Sequence, residues 1–167
     1  MNTNEIAPSL TTLLSELVSG ANGPSGTFVL NPGDVGLLGS LERLSAADAS
    51  ESVHGGATIA AHTRHLQYDL SLMNRWAREG GNPYADAKTE EAWRTSGVSD
   101  DDWREIRSSL RADAGEWLDA LGAPREATSI EVSGMIASIV HLAYHFGAMR
   151  QIAATARGPK QGTVKST

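Results

Sequence analysis

From Gly134 to Gly147 the chain reads "GMIASIVHLAYHFG", a run that is apolar nearly all round a helix. A helix without a polar side has to be buried on more than one face. It can do so at the centre of a bundle or at an interface between two copies. A small bundle leaves little room for a fully central helix, so a homodimer interface is the favoured reading. Into this run are set His141 and His145. On a wheel of roughly 100° per residue their side chains lie about 40° apart. Gly134, Ser138, Ala148 and Ile152 share that side, so both imidazoles point inward. His-x3-His on a helix has two readings, a satisfied core pair or half of a metal site, and a site needs a third ligand.

A second helix can supply one. "TIAAHTRHLQYDLSLMNRW" carries His62 and His65 three residues apart, with Asp69 between them on the wheel. Ile59, Leu66, Met73 and Trp76 share that general face, which points these imidazoles into the protein as well. Two facing helices with inward histidines can build a three-nitrogen site. Three protein ligands leave positions open for water or substrate, as catalytic metal sites do. Buried imidazoles without partners cost free energy, so packing alone explains several of them poorly.

The rest of the chain fits helices and little else. Its 167 residues suit one domain, taken as 1–167 with a frayed tail from about 158. Helical periodicity places one helix over Ile6 to Val18 and a short one, capped by Asp34, over Leu37 to Leu44. Three more follow: about Thr58 to Arg78, Ser99 to Gly122, and from Ser129–Ser133 to about Ala156. "SAADASESVHGGA" reads as a turn-rich connection, and "TFVLN" is the lone β-like run. The stretch "GGNPYADAKTEEAWRTSGVS" is a long connection with one helical turn near Trp93. The expected fold is all-α: a four-helix bundle with a short extra helix and long connecting loops.

Composition closes off other chemistries. There is no cysteine, which excludes disulfides and thiolate ligands. Any nucleophilic thiol must arrive with a cosubstrate. A formal charge of -6, with no basic stripe, argues against nucleic acid. No stretch approaches 18 uninterrupted apolar residues, so no membrane span is expected. The opening "MNTNEIAPSLTTLL" lacks a signal-like pattern, which leaves the cytoplasm as the expected compartment.

"IASIVHLAYHFGAMRQI" resembles the last helix of the DinB-like superfamily, whose pattern there is H-x-A-Y-H-x-G-x-x-R-Q. "AAHTRHLQYDLSL" is similar to its second helix, where a histidine opens an H-L-x-x-x-acid stretch. That superfamily includes bacillithiol- and mycothiol-dependent S-transferases. The resemblance implies that His65, His141 and His145 hold a divalent metal, with His62 the competitor for His65. It also implies a homodimer in many members. Imidazole ligation does not choose among Zn, Ni, Fe and Mn. The implied activity is a metal-dependent transferase acting with a low-molecular-weight thiol on a small-molecule substrate. A metal-dependent hydrolase and a non-catalytic metal-binding dimer are the alternatives.

Other residues were weighed for the same site. Asp69 has three readings: hydrogen-bond acceptor for the free ring nitrogen of His65, catalytic general base, or ion pair with a neighbouring arginine. Arg150 lies about 180° from His141 on the wheel and is expected in an ion pair instead. Tyr144 and Trp93 are expected to pack rather than line the site. Trp103 and Trp117 mark a core face of the third long helix, Asp100 to Asp102 its capped start, and His54 a loop.

Overall fold

The computed structural model describes residues 2–21 and 27–159. Among these the chain is all-helical, with a single isolated bridge between Asn2 and Glu126. Seven α-helices follow in order: α1 Ala7–Ser19, α2 Gly36–Glu42, α3 Ala46–Ser50, α4 Ile59–Glu79, α5 Thr89–Ala92, α6 Asp100–Gly122 and α7 Ser129–Ile152. Short 3-10 turns, Thr3–Glu5 and Ala154–Ala156, flank them. Residues 22–26 and the part of the expected tail beyond 159 lie outside the described residues.

The long helices start where their first-turn amides find acceptors. Ser99 and Asp102 form a reciprocal capping box at α6, and Thr128 and Glu131 do the same at α7. The Thr58 side chain accepts from the Ala61 amide at α4. Three expectations are corrected. "SAADASESVHGGA" contains α3, because Ser45 and Asp48 make a capping box that outweighs the small-residue composition. The last helix stops at Ile152, not Ala156: Ala153 turns extended, and Ala156 then buries its methyl group. "TFVLN" is a series of bends, because its amides bind a side chain rather than a neighbouring strand.

α1 and α4 each pack against both α6 and α7. The core between them is built from Leu10, Leu14, Leu17, Leu66, Leu110 and Leu142, joined by Trp103 and Trp117, both almost fully buried. Each large apolar side chain so buried contributes roughly 1.5–3 kcal/mol. The two indoles also bridge elements through their N–H groups. Trp103 donates to the Leu44 carbonyl at 2.9 Å and Trp117 to the Ser138 hydroxyl of α7 at 2.9 Å. Polar contacts lace α4 to α6: Gln67 to the Asp113 carboxylate, Asn74 to the Asp113 carbonyl, and Arg78 to Glu116.

α7 is long and apolar enough, by length and composition, to cross a membrane, although polar residues interrupt its apolar runs. Met135, Ile139, Leu142, Phe146 and Met149 nevertheless face the core, and His145 is buried with them.

Two buried carboxylates tie the loops to this frame. Asp34, 1 % exposed, accepts from the Gly36 amide and receives Arg150 Nη2 on both oxygens at 2.7 and 2.8 Å. The expected ion pair of Arg150 is therefore made within the chain, and it fastens the end of α7 to the start of α2. Losing one partner of such a buried pair typically costs about 3–5 kcal/mol. Next to it, Gly20 and Gly36 adopt positive φ, and a Cβ on either would collide with the other segment's backbone.

Glu16 is the second carboxylate. It accepts from the amides of Phe28, Val29 and Leu30, the last at 2.6 Å. Burial works against the charge, but the three amides hold the carboxyl below its ordinary range. Glu16→Gln is expected to lower stability by roughly 1–3 kcal/mol near neutral pH, read from the urea midpoint. The charged form is the one favoured by folding. Its contribution is thus present above the ordinary carboxylate range and fades as pH falls through the lowered value. The gap between variant and parent should close in acid.

Candidate metal centre

α4 and α7 lie side by side, and each projects a pair of imidazoles into the seam. The three-residue spacing of His62 and His65 and the four-residue spacing of His141 and His145 keep each pair on one face. His65, His141 and His145 each offer a nitrogen, and these nitrogens lie within 4.8 Å of one another. The three histidines are thus close enough to hold one metal ion. His62 faces the same seam, with its Nδ1 2.9 Å from His145 Nδ1. His65 Nε2 lies 2.9 Å from His141 Nε2.

The sequence-derived trio is thus brought together, and the competitor sits beside it rather than turned away. His54 stands apart, exposed in a loop at φ 53°. Asp69, for which three readings stood open, belongs to the group, and its nearest partner is His141 rather than His65 or an arginine. Its Oδ2 is 2.8 Å from His141 Nε2 and 3.9 Å from His65 Nε2. One helical turn separates Asp69 from His65 along α4, but the ring of α7 fits into that gap and comes closer.

Two aromatic residues contact the histidine group, and only one of them covers it. Trp93 follows α5 and lays its indole over His65, with ring centroids 4.4 Å apart and planes 29° apart. It also meets His62 edge-on at 5.2 Å. Tyr144 is 70 % exposed, so it does not pack in the core; its ring stands edge-on to His145 at 4.9 Å. Trp93 was expected to pack in its long connection, and nothing in the composition there fixed where the indole would land. The His141 side chain remains 37 % exposed, so the group can be reached from outside.

The electrostatics favour the neutral form of His62, His65 and His145. Burial pushes His145 down to about 3, helped by the neighbouring imidazoles His141, His65 and His62 and opposed by the Asp69 carboxylate. Burial also lowers His62, with His65 adding to it. For His65 burial is again the main cause, opposed by Asp69 and assisted by His141. Neutral imidazole is the form that binds metals.

The donor set suits a divalent transition ion. Three imidazole nitrogens match the preferences of Zn, Ni and Fe, and one nearby carboxylate offsets part of a double positive charge. His65 Nδ1 is buried without a hydrogen-bond partner, a polar atom for which packing offers no explanation. No family model, curated protein or solved structure matches this chain.

Lowered imidazole pKa values make the metal-free protein acid-sensitive. The unfolded chain takes up protons near the ordinary histidine value, whereas folded His145 does not until about pH 3. Stability of the metal-free protein should fall as pH drops from about 6.5 toward 3. His145→Gln should flatten that slope in thermal-unfolding scans across the pH series.

Proposed function

We propose that this chain is a cytoplasmic, divalent-metal-dependent enzyme of the DinB-like superfamily, built as a four-helix bundle and acting as a thiol-dependent S-transferase. The observation that carries the reading is the convergence of His65, His141 and His145 from two helices on one point. The mutual packing of α1, α4, α6 and α7 supports the bundle assignment. Zinc, nickel, iron and manganese all fit such ligands.

His65, His141 and His145 would hold the ion, and Trp93, stacked on His65, covers that ring. When bound, the ion supplies a positive charge that lowers the pKa of a thiol or water beside it. Asp69 Oδ2, next to His141, is placed to take the proton released from the thiol. The sulfur electron pair then forms a bond to an electrophilic carbon as the leaving group departs with its own pair. The absence of cysteine requires the low-molecular-weight thiol to enter as a cosubstrate. With water in place of the thiol, the same residues would serve a hydrolase.

The outer side of α7 favours a second copy of the chain as partner. Ile136, Val140 and Tyr144, spaced by four, are all exposed, and Gly147 continues the stripe. A homodimer pairing these stripes would bury the face that the core leaves open, and a non-catalytic metal-binding dimer is the reading that this face supports on its own. Val140→Glu is expected to shift the protein to monomer in sedimentation velocity, with its helical circular dichroism unchanged.

One zinc per chain is expected on titration of metal-free protein. His65→Ala, His141→Ala and His145→Ala should each weaken zinc by more than the roughly 10–100-fold that outer-shell changes cost, and Asp69→Asn should fall inside that range. No zinc binding by the parent protein would remove the metal centre. Conjugation of 1-chloro-2,4-dinitrobenzene to a panel of small thiols tests catalysis. Turnover lost in His141→Ala supports the transferase; zinc binding without turnover of any thiol favours the non-catalytic dimer.

A further inference from the structure

Gly134 lies two turns before His141 on the same side of α7. A Cβ added there meets nothing within 4 Å. Glycine inside a helix is less favourable than alanine, so an open space beside it calls for a reason. The space is a chamber of about 130 Å³ between α4 and α7. Leu66, Leu70, Met73 and Leu142 wall it, and Asp69 and His141 stand among its few polar groups. A wider groove of about 510 Å³ shares Met73, Tyr84, Gly134 and Ala137 with it. Trp76, Pro83 and Ile130 line that outer part.

The two adjoin through Met73, Tyr84, Gly134 and Ala137, so an apolar path leads from the surface groove toward the edge of the histidine group. Asp69 at its inner end disfavours an anionic head group and welcomes a hydrogen-bond donor. We propose that the channel binds a small neutral amphiphile: its hydrocarbon body lies along Met73, Tyr84 and Gly134, and a donor head group such as a hydroxyl reaches Asp69 and His141. This names the substrate class of the proposed enzyme and rests on that reading only for the metal beside the head group; the channel is there with or without the ion.

Unbranched alcohols from 1-butanol to 1-octanol, and hexanoate, are the probes, followed through the methionine methyl signals in NMR titrations with and without zinc. The Met73 methyl should shift while those of buried Met135 and Met149 stay put. Affinity should rise about fourfold per methylene as the chain lengthens. In the metal-free protein, hexanoate should bind at least about tenfold more weakly than 1-hexanol, from charge repulsion by Asp69. Gly134→Leu should abolish the Met73 response, and Gly134→Ala, which improves the helix and intrudes less, should weaken it. Zinc affinity of both variants should equal that of the parent. Alcohol binding with these features but no zinc binding would uphold the channel and remove the metal centre. Normal zinc binding with a silent Met73 methyl, no dependence on chain length, or an unchanged response in both glycine variants would overturn the channel.

Discussion

Four imidazoles meet in the seam between α4 and α7, and their mutual contact is the constraint that the site depends on. A neutral imidazole offers one donor and one acceptor. When His65 faces His141 and His62 faces His145, each contact needs one ring to donate and the other to accept. Protonating a buried ring removes an acceptor and puts a charge where burial disfavours it. Burial therefore favours the neutral form of His62, His65 and His145, with Asp69 beside His141 at the edge of the group. Neutrality, burial and convergence are the conditions a divalent ion needs, and α4–α7 packing imposes all three.

That packing is anchored well away from the histidines. Arg150 reaches from the end of α7 to Asp34, and its guanidinium also lies 3.9 Å from the centre of the Phe146 ring. Trp117 on α6 donates to Ser138, one turn before the first α7 ligand candidate. Gln67 and Asn74, on the histidine helix α4, are held by Asp113 of α6. α4 is thus held along α6, while α7 meets α6 through the Trp117–Ser138 hydrogen bond and packs on α1 and α4. Buried polar groups elsewhere follow the same rule: Glu16 is tolerated because three amides answer its charge.

Much of this could be read along the chain. Local signals carried the helix starts: Ser99 with Asp102, Thr58 ahead of Ile59, and Thr128 ahead of Ser129 all cap as their residue types demand. The inward direction of His65, His141 and His145 followed from helical spacing, which depends only on the 3.6-residue period. What escaped was set by partners distant in sequence. Trp93 read as loop packing because its partner, His65, is 28 positions earlier. Asp69 had three open readings, with His65 as the only histidine in view one turn away, until α7 brought His141 closer. "TFVLN" had strand composition, but Glu16 of α1 claimed its amides.

By itself the sequence determined which segments are helical, which face of each is apolar and which side of α4 and α7 carries imidazoles. These are properties of one helix at a time, governed by backbone geometry and the chemistry of side chains three and four apart. Only the tertiary structure decided that His62 stands beside His65 rather than in place of it, that Asp69 turns to His141, and that Gly134 opens a channel beside them. Each of those depends on the distance and rotation between two helices, and these are set by the whole core at once, from Trp117 to Arg150, not by any stretch of chain.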